Sequence, residues 1–320
     1  MTSTSENKLL EKLVLKLATE QTRARRWSVF FKLIFVFYLF LVFGLAAKRV
    51  NVDKSLEAQK SHTGMIQING MIGEGKGMGV SADQAVISLR AAFKEENAKG
   101  ILLRINSPGG TPVNAAMIYD EILRLKKEYP EKKVVAAITD MGTSGAYYIA
   151  AAADEIYANR SSVVGSIGVI SPGFGFTGLM EKLGVERRIF AAGDNKAMLD
   201  PFSPLKDSQQ EHFAGVLSDV HTMFQNDVKA GRGDRLKNND EIFSGLFWSG
   251  VQAKKLGLID GFESPGGVAR NILKFETIVD YTKSPGGFEQ ILDMLSAPLF
   301  KMMTNFETSQ PPVMAIPNEG

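Results

Sequence analysis

The sequence has no cysteine and only three histidines, and both scarcities restrict the chemistry open to it. Without cysteine, disulfides, thiol nucleophiles and thiolate metal sites are all excluded. The histidines are His62, His212 and His221, and none of them lies in or beside a candidate serine motif. A serine nucleophile in this chain would therefore need a base other than the histidine that most serine hydrolases use.

An excess of charge of one sign is also missing, since the net charge is only +2. So small an excess does not predict a nucleic-acid partner. With 44% hydrophobic and 22% charged residues, the 320-residue chain has the composition of a globular protein with one large domain or two small ones. No cofactor and no metal ion are predicted.

One long apolar run, at residues 27–47 (WSVFFKLIFVFYLFLVFGLAA), interrupts this composition. A helix of this length spans roughly 30 Å, the thickness of the hydrocarbon core of a bilayer. Its single charge, Lys32, and its first residue, Trp27, lie near the end where interfacial residues are found. We predict an uncleaved transmembrane signal anchor. The alternatives are a buried core helix and a signal peptide cleaved near Gly44 and Ala46.

The segments around the anchor predict its orientation. Residues 1–26 carry leucines at helical spacing with lysines between them, a pattern typical of an amphipathic helix on a membrane surface or of a packing helix. Basic residues are more numerous before the anchor than after it, which predicts a cytoplasmic N-terminus and an extracytoplasmic remainder. Residues 48–61 are predicted to form a polar stalk, and residues 284–320 a partly ordered tail.

Between residues 62 and 283, short β-rich runs alternate with helical patterns. This alternation predicts an α/β fold with a largely parallel sheet. Strands are predicted at residues 65–72, 100–106, 133–139 and 154–159, with further candidates at 164–170 and 185–191. Helices are predicted at residues 83–97, 112–129, 145–153, 176–183, 208–229 and 249–256, the last with Ser249 as N-cap and Gly257 as stop signal.

Two segments of this region place glycines or a serine after predicted strands. Residues 106–110 (NSPGG) contain two glycines whose backbone N–H groups could form half of an oxyanion hole, although a tight turn is the simpler explanation of this segment alone. Residues 141–148 (MGTSGAYY) would present Ser144 at a helix N-terminus, where negative charge is favoured. This spacing resembles a nucleophile elbow that lacks the second glycine. Taken alone, Ser144 is better explained as an N-cap.

A third segment, residues 192–202 (AGDNKAMLDPF), contains Lys196. A lysine is normally a solvated surface charge. A buried lysine, however, favours the neutral amine that can act as the general base for a serine. Because no histidine lies near a serine motif, Lys196 is the candidate base for Ser144, and Asp194 is expected to point elsewhere.

The three segments, in this order and at this spacing, resemble the signal peptide peptidase A family over roughly residues 62–281. The resemblance implies a membrane serine protease with a Ser–Lys dyad and a fold like that of Clp protease and crotonase. Ala146 stands where the family has its second glycine, which leaves every catalytic group in place. The site that the resemblance implies consists of Ser144 as nucleophile, Lys196 as general base, Ser166 as hydrogen-bond partner of the lysine amine, and Gly110 and Gly145 as oxyanion donors.

The family resemblance also implies where this chemistry takes place. Its expected substrates are hydrophobic peptides, above all cleaved signal peptides, near the outer face of a bacterial inner membrane. The expected assembly is a homo-oligomer in which neighbouring subunits shape the sites. A lysine base must be at least partly neutral, so activity is expected to rise toward alkaline pH. The alternatives are a crotonase-type acyl-CoA hydratase or isomerase and a non-catalytic membrane scaffold on the same fold.

Overall fold

The computed structural model describes residues 23, 25–42, 44, 59–74 and 79–283. The chain forms two compact units, Met1–Lys60 and Ser61–Gly320. The tail predicted at residues 284–320 lies outside the described residues, as do most of the predicted amphipathic segment and of the predicted stalk.

The described part of the first unit is helical at residues 25–42. Its large apolar side chains are exposed, with Phe40 at 72%, and Trp27 stacks on Phe31 with ring centroids 5.7 Å apart. None of the helices in the described residues has the length and apolar character that crossing a membrane requires. The span predicted at residues 27–47 is therefore not confirmed, and part of it lies outside the described residues.

The second unit is built on one central sheet. Its strands are β1 (His62–Asn69), β2 (Ala98–Ser107), β3 (Lys133–Thr143), β4 (Glu155–Ala158), β5 (Val163–Gly165), β6 (Phe247–Ser249), β7 (Gly261–Phe262) and β8 (Ile278–Asp280). Their order is β6-β5-β3-β2-β1-β8, with β4 pairing with β3 and β7 pairing with β4. Among the described strands every pair is parallel except β5–β6. The predicted α/β fold with a largely parallel sheet is confirmed.

The helices of the second unit begin and end close to the predicted residues, except for the last, short helix, which the sequence analysis did not predict. They are α1 (Ala82–Lys94), α2 (Pro112–Glu128), α3 (Gly145–Ala151), α4 (Thr177–Leu183), α5 (Asp207–Arg232), α6 (Gly250–Leu256) and the short α7 (Pro265–Gly267), which continues as a π-helix at Val268–Leu273. Ser249 forms a capping box with Gln252, and Gly257 ends α6 in the left-handed conformation, as predicted.

Both faces of the sheet are buried, which explains why the sequences of its strands are nearly continuous apolar runs. Successive strand residues point to opposite faces. On β2, Ile101 and Leu103 therefore belong to the main core with the helices α1 to α3. Leu102 faces the other side, where it packs with Val268 and Leu273. The two cores fix the sheet from both sides and so fix the positions of the loops at its carboxyl end.

Residues 168–206, here called the exposed arm, depart from this layered packing. None of them is buried, α4 included, and Phe190 is 98% exposed. The strand predicted at residues 185–191 is wrong, because this segment has no neighbouring strand in the described residues. A β-rich composition forms a strand only where a partner and a packing surface are supplied.

Candidate functional site

Ser144 lies between β3 and α3 in a backbone conformation that serine rarely adopts. Its φ is 53° and its ψ is −127°, and such a conformation costs of order 1–3 kcal/mol for a residue other than glycine. Tertiary contacts hold it, because the Ser144 N–H donates to the carbonyl of Gly165 at 2.8 Å and the Tyr148 N–H donates to the carbonyl of Ser144 at 3.0 Å. The sharp strand-to-helix turn exposes the serine side chain, as in a nucleophile elbow.

The Ser144 hydroxyl does not cap α3, since no N–H of that helix donates to it. The alternative that Ser144 serves as an N-cap side chain is therefore wrong. The adjacent Ala146 is completely buried in the main core. Its methyl group thus packs away from solvent, and the missing second glycine of the motif leaves the turn intact.

Gly109 allows the loop after β2 to approach Ser144 closely. Its φ is 103°, and a Cβ placed on it would lie 2.7 Å from the Ser144 Cβ and 2.8 Å from the Gly145 nitrogen. Both distances are shorter than real side-chain contacts, so the loop can take this path only with glycine here. The Gly109 N–H donates to the Ser107 hydroxyl at 3.1 Å, which fixes the turn.

The N–H groups of Gly110 and Gly145 lie side by side, and neither has an acceptor among the described residues. A Cβ placed on Gly145 would be 3.3 Å from the Gly110 nitrogen. The loop is fixed on both sides of Gly110, because Ile72 donates to the carbonyl of Gly109 and accepts from the N–H of Thr111, each at 2.9 Å. Gly145 begins α3, where the helix itself leaves N–H groups unpaired. Two fixed donors of this kind can bind a developing oxyanion.

A cavity of about 290 Å³ opens at Ser144, and Ser166 also lines it. Ser166 follows β5 as Ser144 follows β3, because Thr143 and Gly165 are paired in register. Ser166 also has a positive φ, of 51°. The structure thus brings four of the five predicted site residues to one cavity, namely Ser144, Ser166, Gly110 and Gly145.

Apart from its serines and glycines, the lining of the cavity is largely apolar. This apolar wall includes Tyr148 and Phe224 together with Val169, Ile170 and Val220. The sequence analysis did not assign Phe224 and Val220 to the site. Their only signal is the apolar spacing of α5, which does not reveal which element the helix packs against.

Lys196 is not among the residues that line the cavity. It is exposed on the arm, where its backbone N–H donates to the carbonyl of Gly193 at 3.1 Å. Within the described part of the chain, its amine forms no hydrogen bond and no ion pair, with Asp194 or with any other residue. The pairing of Ser144 with Lys196 therefore stays a prediction.

One histidine lies closer to the cavity than the sequence indicated. On α5, the Nε2 of His221 is 3.2 Å from the carbonyl oxygen of Ile167, the residue after Ser166. The ring does not line the cavity. His62 is on β1, with its Nε2 2.9 Å from the Tyr281 hydroxyl.

Comparisons with known proteins lead to peptidases. Peptidase family S49 matches residues 126–271, which contain Ser144, Ser166 and Lys196. The putative protease slr0021 of Synechocystis sp. is 32% identical over 195 residues, covering 61% of this chain and 67% of that protein. The putative signal peptide peptidase SppA of Enterococcus faecium is 32% identical over 209 residues, covering 62% of this chain and 59% of that protein.

Another relative is more similar in sequence than these two proteins, and its name is not that of a peptidase. The Na(+)/H(+) antiporter NhaA of Brucella melitensis is 47% identical over 173 residues, covering 54% of this chain. The match covers only 23% of the antiporter's own length. Its name therefore describes a protein of which this chain corresponds to less than a quarter.

Proposed function

The chain belongs to peptidase family S49, and on that premise we propose that it is a serine endopeptidase with Ser144 as nucleophile and Lys196 as general base. The observation that carries the proposal is the conformation of Ser144, with φ 53° and ψ −127°, beside two unpaired backbone N–H groups. Strained conformations of this kind persist only where the surrounding structure maintains them, and they cluster at active sites.

In the proposed reaction the Ser144 oxygen attacks a peptide carbonyl carbon while the neutral Lys196 amine takes the hydroxyl proton. The N–H groups of Gly110 and Gly145 bind the resulting oxyanion. When the tetrahedral species collapses, the C–N bond breaks, the lysine gives its proton to the leaving amine, and an ester remains on Ser144. Water then attacks that ester with Lys196 again as base. Ser166, on the same cavity, would hold the lysine amine by a hydrogen bond.

The exposed arm is the element that would deliver Lys196. Its apolar side chains face solvent, including Phe174 at 82% and Phe190 at 98%. Exposed apolar surface of this kind marks sites of protein interaction. We therefore propose that the enzyme is a homo-oligomer in which the arm of one copy completes the Ser144 cavity of a neighbouring copy.

We further propose that the substrates are hydrophobic peptides such as cleaved signal peptides. The apolar wall formed by Tyr148 and Phe224 supports this substrate class, as does the similarity to a protein named a putative signal peptide peptidase. In this proposal residues 27–47 anchor the enzyme in a bacterial inner membrane, with the N-terminus in the cytoplasm and residues 62–283 outside. A tethered site meets membrane-derived peptides at high effective concentration. Oxyanion donors at the carboxyl end of a parallel sheet are also consistent with a Clp protease/crotonase-like fold.

The test is hydrolysis of a quenched fluorescent signal peptide by the full-length protein in detergent. We expect Ser144→Ala to lower the rate by about 10³-fold or more, because the nucleophile is lost. Ser161→Ala is the matched control, since Ser161 is an exposed serine on the turn before β5, and it should keep the full rate. Equal hydrolysis by Ser144→Ala and the unmodified protein would overturn the proposal. Labelling of Ser144 by a fluorophosphonate would exclude the crotonase-type alternative.

A further inference from the structure

Asp227, on α5, lies behind the apolar wall of the Ser144 cavity and connects three helices. Its carboxylate oxygen Oδ2 accepts a hydrogen bond from the hydroxyl of Tyr148 on α3. Its backbone carbonyl accepts one from the hydroxyl of Tyr119 on α2, at 3.1 Å. Asp227 thus joins α5 to the helix that begins directly after the proposed nucleophile.

The Tyr148 ring is the part of this arrangement that reaches the cavity. It stacks on Phe224, with ring centroids 4.6 Å apart and planes 18° apart, and the Tyr119 ring lies 5.1 Å away. Tyr148 is 7% and Phe224 is 4% exposed, and both rings line the cavity. Tyr148 cannot rotate without losing the stack, the hydrogen bond to Asp227, or both.

The hydrogen bond from Tyr148 to Asp227 persists at alkaline pH and so keeps the Tyr148 ring in place. Burial raises the pKa of the Tyr148 hydroxyl well above its usual value, and the hydrogen bond to Asp227 raises this pKa further. Tyr148 therefore remains a donor through the alkaline range in which a lysine base works. In the described residues no cation forms an ion pair with Asp227, so no cation competes with Tyr148 for its carboxyl group.

We propose that Asp227 is a positioning residue that, through Tyr148, sets the size of the apolar recess in which a substrate side chain lies beside Ser144. This inference rests on the proposed function. Asp227 acts through Tyr148, because Tyr148 lines the cavity and Asp227 does not. Removing the carboxylate frees the ring, so the recess loses its preference between apolar side chains of different size. One methylene in a well-defined apolar pocket is worth roughly 10- to 200-fold in discrimination.

The test measures binding rather than turnover. Two fluorescein-labelled hydrophobic peptides, identical except that one carries leucines where the other carries phenylalanines, are titrated against the full-length Ser144→Ala protein. Adding Asp227→Ala should shift the ratio of the two dissociation constants at least about 3-fold toward one, because the recess loses its preference. Tyr148→Phe, which keeps the ring, should give the same shift. The two changes together should give no larger shift, because they remove one bond.

Asp219→Ala is the matched control, since Asp219 is an exposed carboxylate on the same helix, and it should leave the ratio unchanged. An unchanged ratio in both Asp227→Ala and Tyr148→Phe overturns the inference. Additive shifts overturn it too, as does a failure of both peptides to bind the Ser144→Ala parent. Hydrolysis by the unmodified protein is measured separately. A shifted ratio without Ser144-dependent hydrolysis would keep the positioning role and reject the proposed reaction.

Discussion

The backbone N–H of Ser144 donates to the carbonyl oxygen of Gly165 at 2.8 Å, so the turn that follows β3 is bonded to the last residue of β5. Each of these strands is followed at once by a serine with positive φ, Ser144 after β3 and Ser166 after β5. Serine has no intrinsic preference for this conformation. The pairing of the strands therefore maintains the strain at the cavity.

Strain at Ser144 predicts a difference between two inactive variants. Ser144→Gly removes both the hydroxyl and the strain, whereas Ser144→Ala removes only the hydroxyl. We expect the glycine variant to exceed the alanine variant in free energy of unfolding by about 1–2 kcal/mol. Urea titration of the full-length proteins measures this difference. Equal stabilities would show that the turn is not strained.

Close approach at Gly109 predicts that a single methyl group disrupts the site. In Gly109→Ala the new Cβ would meet the Ser144 Cβ at 2.7 Å and the Gly145 nitrogen at 2.8 Å. Displacing these atoms should lower peptide hydrolysis by at least about 100-fold, the effect of losing one oxyanion donor. Gly266→Ala is the control, because nothing lies within 4 Å of a Cβ placed there and Gly266 is outside the exposed arm. Retention of more than a tenth of the activity by Gly109→Ala would contradict this geometry.

The proposed delivery of Lys196 by a neighbouring copy predicts complementation. Lys196→Ala and Ser144→Ala should each be inactive, while Lys182→Ala, at an exposed lysine on the same arm, should be active. When the two inactive variants are mixed and reassembled, some cavities combine an intact Ser144 with an intact Lys196. Hydrolysis should then reappear. A mixture that stays inactive would mean that each chain uses its own lysine.

The carboxylate of Glu121 predicts an acid-dependent loss of stability. Hydrogen bonds from Arg124 and then Arg90 lower the pKa of Glu121 from 4.5 to about 2, despite its burial. Because the folded-state pKa is the lower one, the stabilisation is complete above about pH 4.5 and disappears as the pH falls toward 2. Both arginines are more than half exposed, so solvent screening limits the stabilisation to about 1 kcal/mol.

The measurement is the melting temperature between pH 7 and pH 3. Glu121→Gln should melt lower than the unmodified protein at pH 7 and should lose less stability on acidification. Glu131→Gln, at an exposed glutamate, should follow the unmodified protein throughout. Parallel curves for Glu121→Gln and the unmodified protein would contradict the prediction.

Local patterns were sufficient to predict the elements that carry the site, and the family resemblance is confirmed. The strand–serine–helix order predicted where Ser144 lies, and the strand predicted at residues 133–139 is β3. β3 continues to Thr143 because residues 141–143 pair with β5. That extension depends on a neighbouring strand, which the local sequence does not reveal.

Tertiary packing determines which residues of α5 and of the exposed arm come close to the cavity, and local sequence does not reveal this. Phe224 and Asp227 reach the cavity region only because α5 packs against α3, far from either residue in sequence. The arm shows the opposite case, since its β-rich residues 185–191 find no partner strand and remain exposed. The position of Lys196 relative to Ser144 follows the arm, so no local pattern could determine it.

The register that places Thr143 opposite Gly165 has a consequence for the timing of activity. A heptapeptide with the sequence of residues 142–148 would lack the pairing with β5 that holds its serine in this turn. During synthesis, the reactive geometry arises only after β5 has emerged and joined the sheet. An incompletely folded chain therefore has Ser144 without the backbone conformation that the proposed reaction requires.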